Sequence, residues 1–153
     1  MNDMEQTQKV SRETTLHVRD TCLCLHAQRA ARALARRFDA ALRPFDLTNG
    51  QFSLMMSLNR PDPPTIGAVA TFLAMDRTTL TAALKPLERR GLVEIKPDPD
   101  DRRNRRLSLT ADGCKLLARA VPVWQETHDE VDRLLPEGSP GRLRSDLEAV
   151  SST

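Results

Sequence analysis

Two short helical patterns separated by a tight turn, followed at once by two alternating stretches around an arginine-rich tip, limit what this chain can fold into. The second helical pattern, Met75 to Val93, carries its own start and stop signals. Asp76 can accept hydrogen bonds from the free N–H groups of a first helical turn, and Gly91 suits the left-handed residue that ends a helix. Leu80, Leu84 and Leu87 recur at helical spacing, which predicts one buried face. The opposite face carries Thr78, Thr81, Ala82, Lys85 and Arg89, with Arg77 at its leading edge. Short side chains there allow close approach, and positive charge lies at the margins. Such a surface suits a DNA major groove, where hydroxyls and arginine meet base edges and phosphates. A solvated amphipathic helix has the same stripe, so the neighbouring segments decide between the two.

Upstream, Thr65 can cap a short helix whose apolar stripe is Ile66, Val69, Ala70 and Leu73, and Ala74-Met75 forms the turn of a helix-turn-helix. Downstream, Val93 to Lys96 and Arg106 to Leu109 alternate apolar with polar residues and read as two strands, each with one buried face. Pro97, Asp98, Pro99, Asp100 and Asp101 between them make an exposed hairpin tip. Arg102, Arg103, Arg105 and Arg106 sit at or beside it. A basic hairpin after a groove-entering helix predicts a winged helix-turn-helix, its arginines placed for phosphates or a narrow minor groove.

On these motifs residues 65–113 resemble the DNA-binding lobe of the MarR family of bacterial transcriptional regulators. The matching pieces are Met75 to Thr81, Leu87 to Val93, and the wing signature Asp98 to Arg103 leading to Leu107-Ser108-Leu109-Thr110 and Gly113. The resemblance implies that Arg77, Thr78, Thr79, Thr81 and Lys85 face the major groove and that Arg103 reaches the minor groove. Asp101 would orient that arginine, or serve as an ordinary turn aspartate. Arg102, Arg105 and Arg106 are phosphate contacts or solvent-facing strand residues, and Thr65 could offer backbone donors to a phosphate at a helix N-terminus. The family pattern further implies a homodimer with interlocked terminal helices. Its reading heads would stand about 34 Å apart on a pseudo-palindromic operator.

The implied function is sequence-specific binding of double-stranded DNA by a transcriptional repressor that a small aromatic or phenolic effector releases. Phe52, Met55, Met56 and Trp124 are candidates for the effector pocket, although core packing explains them equally well. One alternative is thiol-based oxidant sensing through Cys24, because Cys24-Leu25-His26-Ala27 with Arg32 resembles the reactive-thiol segment of the organic-hydroperoxide-sensing branch. That branch holds its thiolate with two tyrosines, where this chain has Gln28 and Phe38, and a buried inert cysteine is the competing reading. A remoter alternative is a winged-helix protein adaptor without DNA binding.

Composition supports helices: 39% of the 153 residues are hydrophobic but only 3% aromatic, with no tyrosine, so Leu, Ala, Val and Met must build the core. The net charge of +2 is unevenly spread. Between Arg77 and Arg106 nine Lys or Arg face five Asp or Glu, which leaves the remainder at −2 and confines the basic surface to the reading head. Cys22, Cys24 and Cys114 form no disulfide framework. Cys22 and His26 are at most half a metal site, so neither metal nor cofactor is expected. There is no Gly-rich phosphate loop, no His-Glu-x-x-His pair and no Gly-x-Ser-x-Gly elbow, which argues against an enzyme. Without an apolar run of about 20 residues or a signal-peptide core, the expectation is a cytoplasmic protein with no membrane contact.

The fold class expected is mainly α with a small β-hairpin wing: a winged helix-turn-helix lobe plus a helical dimerisation layer. Residues 1–13 read as a flexible arm, 14–60 as a helical dimerisation and support segment, 61–110 as the DNA-binding lobe and 111–153 as C-terminal dimerisation helices. Within them one long helix is expected from Thr14 to Arg43, ended by Pro44. A capping box at Thr48 and Gln51 opens the next. Thr110 opens a helix that Pro122 should kink, the recognition helix is likewise expected to run on, kinked, through Pro86, and Ser139-Pro140 opens the last.

Overall fold

In the computed structural model, which describes residues 9–152, seven α-helices and one antiparallel hairpin are present among the described residues. They are α1 (Arg12–Thr21), α2 (Leu23–Leu42), α3 (Asn49–Leu58), α4 (Ile66–Phe72), α5 (Arg77–Arg89), β1 (Val93–Pro97), β2 (Arg105–Leu109), α6 (Ala111–Asp132) and α7 (Ser139–Ser151). A 3-10 turn over Arg43–Phe45, containing Pro44, follows α2. The chain divides into two compact units, one ending at Arg36 and the other beginning at Arg37. The arm expected at residues 1–13 falls mostly outside the described residues.

The first unit departs from expectation. In place of one helix from Thr14, α1 starts at Arg12, capped by the Ser11 hydroxyl, which accepts from the Thr14 N–H at 3.1 Å. It then stops at Cys22, whose ψ of 104° breaks the helix. The Cys22 thiol accepts from the Leu25 N–H at 3.4 Å and so caps α2, while the Thr21 hydroxyl donates back to the His17 carbonyl at 2.7 Å. No glycine or proline marks this break in the sequence, because Cys22 leaves the helix through its ψ alone. No side chain of residues 12–36 is buried, and Val18, Leu23 and Leu34 are exposed.

The second unit holds the core. Leu42, Met55, Leu80, Leu84, Leu87, Val93 and Leu107 are fully or almost fully removed from solvent and pack with Phe52, Val69 and Leu117. α3 opens with the expected capping box: the Thr48 hydroxyl accepts from the Gln51 N–H, and the Gln51 side chain accepts from the Thr48 N–H. α5 and α6 run unbroken through Pro86 and Pro122. α7 starts at Ser139, but its boundary residue is Gly138 at φ 75°, not a capping Ser139; the left-handed backbone there favours glycine. Arg144 of α7 donates to both oxygens of Asp132 at the end of α6.

Gly113 fixes where α6 meets the root of the wing. A Cβ on it would lie 2.1 Å from the Leu92 carbonyl oxygen, whereas a Cβ on Gly141 in α7 would meet nothing. The Thr110 hydroxyl, which accepts from the Gly113 N–H, donates to the Gly91 carbonyl at 2.6 Å. Gly113→Ala is therefore expected to destabilise the protein by about 1 to 3 kcal/mol, the usual scale for an overpacked site. Gly141→Ala should lower the urea midpoint not at all. Equal midpoints for the two variants would contradict the close approach.

Candidate nucleic-acid interface

The turn between α4 and α5 is tight enough to require a left-handed residue, and Ala74 supplies it at φ 51°. The Met75 N–H returns to the Ala70 carbonyl at 2.9 Å and closes the turn. Asp76 then caps α5 with both carboxylate oxygens. One accepts from the Thr79 N–H at 2.8 Å and the other from the Thr79 hydroxyl at 2.6 Å. The hydroxyl bond, followed by the backbone bonds, holds the Asp76 carboxyl below its ordinary range.

With Leu80, Leu84 and Leu87 sealed on the core side, Arg77, Thr78, Thr81, Ala82 and Lys85 line a shallow hollow of about 330 Å³ on the exposed side. Thr81 keeps its hydroxyl on the Arg77 carbonyl at 2.7 Å. Thr79 is exposed but does not line the hollow, and its hydroxyl is committed to the cap. Thr65 likewise uses its hydroxyl to cap α4 through the Ala68 N–H, and its backbone bridges to Arg106.

The wing pairs Val93 with Leu109, Ile95 with Leu107 and Pro97 with Arg105. Its tip is shaped by carboxylates acting on backbone. Asp101 accepts from the Arg103 N–H at 3.0 Å and from the Asn104 side-chain amide at 3.2 Å. It therefore fixes the loop that carries Arg103 through the backbone, not through the guanidinium. Arg102, Arg103 and Arg105 are exposed and have no carboxylate partner among the described residues.

Arg106 is different, being half-buried and held by the fold. Its Nε donates to the buried Asp98 carboxylate at 2.7 Å and its Nη1 to the Pro63 carbonyl at 2.9 Å, so it braces the wing against the segment before α4. The strand pattern at Arg106 gave no sign of this, since the brace joins residues 43 positions apart. The Asp100 N–H is the largest influence holding the Asp98 carboxyl below its ordinary range; Arg106 adds to it and desolvation opposes it.

A second concave feature lies in the same unit, a groove of about 560 Å³ lined mainly by Phe52, Met56, Arg60, Phe72, Val121 and Trp124. Phe52 stacks on Trp124 with ring centres 5.9 Å apart, and the Arg60 guanidinium lies 5.8 Å above the Phe72 ring. Of the four pocket candidates, Met55 does not belong here: it is fully buried in the core, on the inward side of α3. Cys24, in the first unit, is exposed and not buried, and its thiol accepts from the Gln28 amide at 3.2 Å.

The sequence profile of the MarR family matches residues 47–104, which span the helix-turn-helix and the wing tip. The transcriptional regulator MosR of M. tuberculosis, solved in complex with DNA, is 36% identical, with a TM-score of 0.78 over 86% of this chain and 94% of that one. The chain belongs to the MarR family. The repressor CouR of Rhodococcus jostii RHA1, solved bound to a 23-mer DNA duplex, superposes on this MarR-family chain with a TM-score of 0.76 at 32% identity. It covers 84% of this chain and 92% of that one. Among curated relatives, the transcriptional regulator HosA of Escherichia coli O111:H- is 40% identical over 87 residues, 56% of this chain. The match spans 63% of HosA's length. Among the described residues no helix is long and apolar enough to cross a membrane.

Because the folded Asp98 carboxyl titrates below its unfolded value, it contributes stability above the unfolded range, near pH 4, that is lost as pH falls through the folded value. Asp98→Asn should lower stability at neutral pH and flatten the fall in urea midpoint below about pH 5. Curves for parent and variant that run parallel through the acid limb would show that this carboxylate contributes nothing.

Proposed function

We propose that this protein is a sequence-specific double-stranded DNA-binding transcriptional repressor, acting as a homodimer on a pseudo-palindromic operator. The observation that carries the reading is the exposed hollow of Arg77, Thr78, Thr81, Ala82 and Lys85, in the same folded unit as a wing whose Arg102, Arg103 and Arg105 are exposed and without carboxylate partners. Cations left unpaired gain little for the fold, yet each one set on a phosphate releases counterions from DNA. Arg77, Thr78, Thr81 and Lys85 read the major groove and Arg103 the minor groove. Arg102 and Arg105 contact phosphates, while Thr79 and Asp101 preserve the geometry of helix and wing. MosR and CouR, both solved on DNA, support this reading.

The homodimer is supported by what one chain leaves uncovered. Residues 12–36 and α7 bury no side chain, and Val18, Leu23, Leu34, Leu143 and Leu147 are exposed. Covering apolar area of this kind is worth about 25 cal/mol per Å², which favours a second copy over water. Residues 61–110 would then read DNA while the helices of 14–60 and 111–153 join the two copies. The protein acts in the cytoplasm and catalyses no reaction.

Release follows when a small aromatic or phenolic effector enters the groove against the Phe52–Trp124 stack and favours one separation of the reading heads over another. A second reading, oxidant-triggered release through Cys24, is favoured by the exposure of that thiol and by the Gln28 amide bonded to it.

In gel-shift titrations against a duplex selected by the parent from a random pool, Arg103→Ala should weaken binding by about 1 to 3 kcal/mol while the dimer stays folded. Parent affinity should also fall steeply with salt. Parent-like binding by the variant removes Arg103 from the interface, and an absence of duplex binding at any salt leaves the adaptor reading. For the thiol, Cys24→Ser should abolish release by cumene hydroperoxide; undiminished release excludes Cys24 as the sensor.

A further inference from the structure

We infer that Gly67 is a positioning residue for DNA recognition: it provides the seat on which the Arg77 guanidinium lies against α4. An ideal Cβ at Gly67 would stand 2.8 Å from Arg77 Nη2 and 3.5 Å from its Cζ, and the three nearest atoms to that Cβ all belong to the guanidinium. Any other residue at 67 therefore displaces Arg77.

Two local choices here are unfavourable when taken singly. Glycine within a helix weakens it relative to alanine, and α4 is only seven residues long. Arginine at the first position of α5 puts a cation at the positive end of the helix dipole. Its neighbour Asp76 makes no ion pair with it among the described residues; both of that carboxylate's oxygens accept from Thr79. Helix stability explains neither residue. Together they make one arrangement in which the guanidinium of a long, many-rotamer side chain lies against bare backbone at the edge of the exposed hollow. Breaks with local preference that coincide in space are expected at functional sites.

This inference rests on the reading that Arg77 touches DNA, and the experiment separates the two. Gly67→Ala, Arg77→Ala and the double variant are titrated against the duplex selected by the parent, with thermal melting and dimer size measured alongside. The expected result is that each single variant binds about tenfold more weakly, the scale of one lost contact. The double variant should bind no more weakly than either single one, because both substitutions remove the same contact. Gly67→Ala should melt at or above the parent temperature, since alanine favours the helix. A purely structural glycine would instead lower melting and binding together, and that outcome overturns the inference. Parent-like affinity for Gly67→Ala beside weakened Arg77→Ala overturns it too, as does an additive double variant. Unchanged binding by Arg77→Ala overturns both the inference and the contact it rests on.

Discussion

Everything this chain presents to the outside of its recognition helix depends on the burial of Leu80, Leu84 and Leu87 on the inside. Those three leucines fix the rotation of α5 about its axis, and one-residue steps of 100° leave no freedom once they are placed. Arg77, Thr78, Thr81 and Lys85 point outward as a consequence. Side chains at a reading surface cannot be held by their own packing, since they must stay open to a ligand. Their aim is set from behind by the core, and from the ends by the Asp76 cap and the glycine that stops the helix.

The wing adds a polar brace to that same core. A two-stranded hairpin is marginal in water on its own; this one buries Val93 and Leu107 in the core and is secured nearer its tip by polar bonds. Asp98, only 4% exposed, ties the backbone of its own tip, and Arg106 joins that carboxylate to the chain before α4. A buried carboxylate is tolerable there because it is fully bonded. The arginines beyond this brace have no such obligations. The wing thus separates its four arginines by role, one fixing the hairpin and three remaining available at its surface.

Much of this was legible in the sequence, for identifiable reasons. Caps and stop signals act over three or four residues, and Asp76, Thr48, Thr110 and Gly91 take the places their chemistry indicates. The two strands fall within one residue of the alternating stretches. What escaped depends on contacts between distant residues or on competition within a single turn. Arg106 resembles its three neighbours until the Pro63 carbonyl is brought beside it. Met55 and Met56 are adjacent in sequence, yet α3 turns one into the core and the other onto the groove. Cys22 breaks a helix with no glycine or proline to mark the place, and the Thr79 hydroxyl, exposed on α5, is drawn into the cap by Asp76. The seat for Arg77 at Gly67 required two helices to be placed against each other.

The absence of any buried side chain across residues 12–36 bears on how such a protein is made and replaced. A segment that owns no interior gains almost no hydrophobic stabilisation of its own, so cover adds to its order. Where that cover is a second copy, assembly and the completion of folding become one equilibrium governed by subunit concentration. Exchange of subunits then costs the first helices whatever packing the second copy gives them.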